Sequence, residues 1–147
     1  MDEFSNLQTI DGEEEIARIV FSPSMVVGGN VAPSAFFLVK LRGDKPEGYL
    51  SVWRLALKVP NRENVKFPPR IQGDTLYGYA ELNVCDCHNA AVGECRCAVK
   101  VNLKSPNQYH AGIYYTKGNE RIVGECYDPA FVLFASVLAG QSVLVKI

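Results

Sequence analysis

The chain has 147 residues, 48% hydrophobic and 21% charged, with a formal net charge of -1. That length and composition support one domain with its own core, and they exclude both wholesale disorder and a pair of independent domains. Near-neutral charge argues against nucleic acid or an anionic membrane as the main partner, because either calls for a basic excess.

The chain opens on Asp2, Glu3, Asp11, Glu13, Glu14 and Glu15, the reverse of the basic and apolar regions of a secretory signal. This predicts a flexible acidic N-terminus over 1–14, with or without a short amphipathic helix before Ile16, leading into a single domain within 1–147. It also predicts a cytoplasmic protein. Five cysteines form an odd set, and without an export signal reduced thiols are the default.

From Glu15 onward, short runs rich in Val, Ile, Phe and Tyr alternate with Gly, Pro, Asn and Asp. They predict strands at 16–21, 35–42, 49–59, 76–84, 97–103, 109–116, 121–126 and 142–147. Turn residues over 43–48 and 117–119 mark two hairpins, so the sheet should be mostly antiparallel. Two connections, 22–34 and 60–74, exceed an ordinary hairpin loop. Within the first, Gly28-Gly29 lacks the lysine and spacing of a phosphate loop, and a plain turn is the better reading.

One helix is predicted over 129–139, with Asp128 as N-cap, Pro129 at the first position and Gly140 ending it in the left-handed conformation. Only Ser136 is polar between Ala130 and Ala139, so the helix should lie buried against or inside the sheet. As a helix this apolar run spans about 15 Å, half a bilayer's hydrocarbon core, which makes it a core element and leaves no membrane anchor. The fold class expected is α+β: a β-rich domain with a mostly antiparallel curved sheet or partial barrel and one buried helix near the C-terminus.

Charge is uneven along the chain. Residues 1–39 hold Arg18 against six acids, whereas 40–70 hold eight basic residues against Asp44, Glu47 and Glu63. A nucleic-acid patch is the lesser reading of that basic stretch, because its aromatics do not interleave with the basic residues regularly.

Three constellations could carry chemistry. Cys85, Cys87, Cys95 and Cys97 form two Cys-x-Cys pairs around a short loop with His88 beside them. Four thiolates in one segment could hold a structural zinc ion with every ligand place filled. The competing reading is a hairpin centred on Ala91, with Cys85 facing Cys97, Cys87 facing Cys95 and all four sulfurs buried as small hydrophobes. Cys-x-Cys departs from the usual zinc spacing, and both readings stay open.

The second constellation is 109–115, where His110, Gly112 and Tyr114 share one strand face. The glycine leaves the backbone beside the histidine open to a ligand, and His110 is a candidate acid–base group with Glu125 and Tyr127 as candidate partners. The third is 49–55, where Tyr49, Ser51 and Trp53 alternate with Leu50, Val52 and Arg54. Arg54 is a candidate anion clamp if it lines a cleft, although a strand-end salt bridge is the more economical outcome.

Three short motifs, Val31-Ala-Pro-Ser-Ala-Phe36, Leu50-Ser-Val-Trp-Arg54 and Tyr109-His-Ala111, resemble in their order a set of small uncharacterised bacterial proteins. The resemblance spans the middle two thirds of the chain, singles out Ser34, Phe36, Ser51, Arg54 and His110, and implies a bacterial intracellular setting. The Cys-x-Cys pairs fall outside it.

Two functional expectations follow. One is a small intracellular binding or interaction protein, with a protein or small-molecule partner and a zinc staple at Cys85, Cys87, Cys95 and Cys97. The other is an enzyme acting on a nucleotide-like or anionic small molecule, with His110 as acid–base, Arg54 as anion clamp, and Ser51 or Tyr114 orienting the substrate.

Overall fold

The computed structural model describes residues 3–37, 48–118, 120–122 and 129–147. The sheet is built around Glu15–Ser22, the strand β2, in which Ile16 and Val20 bury on one face while Ala17, Ile19 and Phe21 bury on the other. A strand apolar on both faces has to be central, and β2 is flanked on either side.

In chain order the other strands are β1 (Gln8–Thr9), β3 (Val26–Val27), β4 (Asn30–Val31), β5 (Leu50–Arg54), β6 (Thr75–Asn83), β7 (Ala91–Val92), β8 (Cys95–Val101), β9 (His110–Lys117), β10 (Glu120–Arg121) and β11 (Val143–Lys146). The helices are α1 (Val84–Asn89) and α2 (Pro129–Gln141). Among the described residues, the main sheet runs in the order β1-β8-β9-β5-β2-β6-β11, with β10 on β9 and β7 on β8. Every pairing is antiparallel. The architecture is α+β, and the sheet stays open, with β1 and β11 as its edges.

The C-terminal helix covers one sheet face. Phe131, Phe134, Ala135, Leu138 and Ala139 recur at helical spacing and all are buried, so α2 presents a continuous apolar stripe to the sheet. Tyr115 of β9 stacks on Phe131 at 4.7 Å and on Phe134 at 4.8 Å, fixing helix to strand by ring contact. The helix lies against the sheet and is not enclosed by it, for Leu133 is 54% exposed. It also runs through Gly140 to Gln141. The end is closed by Ser142, whose N–H and hydroxyl both donate to the Ala139 carbonyl, so no left-handed glycine is needed.

Several boundaries differ from the sequence expectation. Ala35 and Phe36, expected to open a strand, instead close a 3-10 turn over Pro33–Phe36, with Phe36 wholly buried; proline suits the first position of a helical turn and cannot serve a ladder there. The third expected strand stops at Arg54, where the Leu57 and Lys58 N–H groups fold back onto the Arg54 carbonyl. Gly28 and Gly29, with φ of 59° and 80°, make the tight turn of the β3–β4 hairpin, as two consecutive positive φ values require. The expected turn at 43–47, Asn119, the strand residues 38–42 and 123–126, Tyr127 and the Asp128 cap lie outside the described residues. No helix among the described residues is long and apolar enough to cross a membrane.

Candidate functional site

The sheet has an opening at its centre. β2 and β5 pair only at Ile16 with Arg54 and Ala17 with Trp53, whereas β2 stays paired with β6 through Ser22. Past Ala17 the two strands part, and Arg18 bridges the gap: its Nε–H donates to the Ala35 carbonyl at 3.0 Å and its Nη1 to the Ser51 carbonyl at 2.9 Å. The guanidinium thus pairs a strand carbonyl that β2 leaves behind.

Two clefts lie on the sheet face away from α2. The first, about 190 Å³, has an apolar lining from Ile19, Phe21, Met25, Trp53 and Phe67, with Arg18 and Arg70 as its cations. The second, about 170 Å³, is more polar, with Lys100, Asn102 and Ser105 facing Tyr49 and Tyr114. Ser51 and His110 line both. Strand register explains this shared wall: β5 and β9 pair Ser51 with Gly112 and Trp53 with His110, and alternation points all of them away from the core face taken by Leu50 and Val52. None of the described lining residues is an acid.

Rings frame the wall on both sides. Trp53 packs on Tyr109 at 5.2 Å and on His110 at 5.8 Å, and Lys58 Nζ stands 4.4 Å from the Tyr109 ring centre. On the other side Tyr49 lies 4.8 Å from Tyr114. A Cβ on Gly112 would come within 2.6 Å of Tyr49 and 2.8 Å of Tyr114, so the glycine is what lets both rings settle on the strand. Burial, reinforced by Lys58, lowers the His110 pKa from its ordinary value, leaving a neutral imidazole between the clefts at neutral pH.

The loops around the first cleft are tied down. Asp74, itself buried, accepts from the Ser24 N–H at 3.1 Å and from the Ser24 hydroxyl, while the Ser34 hydroxyl donates to the Ser24 carbonyl at 2.7 Å. Ser34 is therefore a tie within the loop that carries Met25, and Phe36 belongs to the core beneath it.

Of the residues singled out from sequence, His110, Ser51 and Tyr114 come together at the clefts, and Arg54 does not. Its Nε and Nη2 hold Glu14 in a fork at 2.7 and 2.8 Å, and the bond to Glu14 raises the guanidinium pKa. The strand-end salt bridge is the arrangement found; Arg54 shares the face of Leu50 and Val52, opposite Ser51. Arg54→Ala is expected to lower stability by about 2 kcal/mol, in the range of a charge-assisted hydrogen-bonded pair, while ligand affinity in the clefts stays unchanged. Urea unfolding alongside a binding titration checks both parts. The residues that sequence reading passed over are Arg18, Arg70, Lys100 and Phe67, contributed by three separate segments.

The cysteine segment opens on a helix that neither sequence reading included. Asn83 caps α1, its side chain accepting from the Cys85 N–H at 2.9 Å, so Cys85 and Cys87 sit on a helix. The hairpin turns at Gly93 and pairs Val92 with Cys95, not Cys85 with Cys97. Cys87 and Cys97 are core residues, Cys95 is half-buried and Cys85 is exposed. Burial, with Asp86 adding to it, pushes the Cys87 thiol up to about 12, and burial and Cys87 push Cys97 up further; both stay protonated and unreactive at neutral pH. Among the described residues no group of three or more His, Cys, Asp or Glu side chains is gathered to hold a metal ion.

His88 closes α1 onto the sheet, its Nε2 accepting from the Val99 N–H at 3.2 Å. Burial and Lys100 lower its pKa below the ordinary 6.5, which keeps that nitrogen an acceptor. An imidazole with a lowered folded pKa takes up its proton in the unfolded chain first, so stability is expected to decline as pH falls below about 6.5. Glu81 runs the other way: its bond to Glu15, burial and the Glu15 charge raise its pKa, so its protonation favours the folded state at lower pH. Melting temperatures of wild type and His88→Gln from pH 7.5 to 5 isolate the imidazole, the variant losing less than wild type over that interval.

Comparison with protein-family models, with curated proteins and with solved structures returns no match.

Proposed function

We propose that the protein binds a small nucleotide-like molecule, with its planar ring in the apolar cleft and its anionic group in the polar one. The observation that carries this reading is the pair of adjoining clefts that share Ser51 and His110, have cations at either end, and have no carboxylate in their described lining. Each cleft is smaller than the ~300–1,000 Å³ that encloses a drug-sized ligand, which suits one ligand divided between two. Phe67, 45% exposed, offers ring surface to a base beside the buried Trp53, and Lys100, Asn102 and Ser105 offer donors to a phosphate.

The reading is one of binding. Among the described residues the lining sets no carboxylate or thiol beside His110, and its candidate partners Glu125 and Tyr127 lie outside the described residues; acid–base chemistry at this histidine is the second reading. A zinc staple at Cys85, Cys87, Cys95 and Cys97 finds no support in thiols split between core and surface, and elemental analysis of the purified protein tests it.

The chain has one tryptophan, and it lies in the first cleft, so its fluorescence reports occupancy. Titration with adenosine 5′-monophosphate should quench or shift Trp53 emission saturably, adenosine and inorganic phosphate should bind at least tenfold more weakly, and Lys100→Ala should lose most of the preference for the phosphorylated ligand. A flat titration with nucleoside monophosphates and with aryl phosphates alike would overturn the reading.

A further inference from the structure

We infer that the ligand is part of a strand: the crevice takes successive nucleotides of a single-stranded nucleic acid, and the loop between β5 and β6 carries its phosphates. This rests on the nucleotide reading and extends it. The first reason is that the face offers two ring surfaces. Phe67, 45% exposed, stands over the first cleft with Trp53 behind it, and Tyr49, 40% exposed, stands over the second with Tyr114 behind it. A mononucleotide has one base to stack, whereas neighbouring nucleotides have two, and stacking on aromatic side chains is how sheet faces hold unpaired strands.

The second reason is charge that a mononucleotide leaves unused. Lys58, Arg62, Lys66 and Arg70 follow at every fourth position of the loop, against Glu63 as the only exposed acid between Leu55 and Asp74. Of these four only Arg70 lines a cleft; Arg62 and Lys66 are exposed beyond it. The loop thus carries four of the chain's fifteen Lys and Arg residues, a local basic excess in a chain whose formal net charge is -1. A phosphate backbone leaving the first cleft along the loop would meet them in turn.

The third reason is shape. Clefts of about 190 and 170 Å³ on either side of a wall admit bases splayed apart and exclude the stacked pairs of a duplex.

Fluorescence anisotropy with labelled single-stranded RNA and DNA hexamers, and with a hairpin duplex of the same sequence, tests this. The hexamers should bind at least tenfold more tightly than adenosine 5′-monophosphate and than the duplex. Their affinity should fall with salt at a slope of about −2 to −3, as three or four phosphate contacts at ~0.7 each predict. Arg62→Glu/Lys66→Glu, outside both clefts, should weaken hexamer binding at least tenfold and leave mononucleotide binding unchanged. A preference between RNA and DNA hexamers identifies the sugar the strand carries and supports the inference in either direction. Hexamers binding no better than the mononucleotide, or no better than the duplex, would overturn the inference while the nucleotide reading stands; no binding by mononucleotide or hexamer would overturn both.

Discussion

Phe134→Ala is expected to lower the unfolding free energy by about 3–5 kcal/mol, the range for truncating a buried phenylalanine. The ring is fully buried, lies 4.8 Å from Tyr115 at an interplanar angle of 21°, and belongs to the stripe by which α2 covers the sheet. Its removal takes away apolar burial and one of the two rings stacked on Tyr115, and it leaves a cavity beneath β9, which the surrounding core can fill only in part. Because Tyr115 stands on the strand whose other face carries His110, Gly112 and Tyr114, the same substitution should loosen the crevice. Leu133→Ala is the control: that side chain is 54% exposed and should cost less than about 1 kcal/mol. Urea unfolding of the two variants separates a helix seated on the sheet from one merely near it.

Gly78→Ala should cost about 3 kcal/mol, the upper end of typical overpacking penalties. A Cβ at residue 78 would stand 1.9 Å from the Val145 carbonyl oxygen and 2.9 Å from Lys146 Cα, and these are backbone atoms that no rotamer change can move. The β6–β11 ladder pairs Lys146 with Gly78 at that point, so the edge strand must shift or detach. Hydrogen exchange should show the amides of 143–147 losing protection before those of β2. Unfolding within 0.5 kcal/mol of wild type would mean that β11 yields without strain.

The helix and most strand centres were legible because each depends on local pattern. The apolar stretch of α2 and the short apolar runs of β2, β6, β8 and β9 needed no knowledge of partners. Ala35 and Phe36 read as the start of a strand, whereas the proline before them sets a helical turn. The helix at Val84–Asn89 carried its own signal in Asn83, an N-cap residue directly before it, yet four cysteines drew the reading toward a metal loop or a hairpin.

The site was half legible. Ser51, His110 and Tyr114 lie on two strands whose alternation gives their facing, but which cations join them depends on tertiary placement. Arg18 stood alone in an acidic stretch, and Arg54, the arginine nearest in sequence to Ser51, is held by Glu14 across the chain. The rings come from β5, β9 and the loop, the cations from β2, β8 and the loop, and they meet only in the folded sheet.

The account turns on the crevice being the binding face. The most direct test follows the indole N–H of Trp53 and the backbone amide of Gly112 by ¹H–¹⁵N NMR during titration with adenosine 5′-monophosphate. Both signals should move saturably and together, with the amides of Lys100 and Asn102 following and those of α2 staying in place. Shifts confined to α2 or to the cysteine segment, with Trp53 and Gly112 unmoved at saturating ligand, would contradict it.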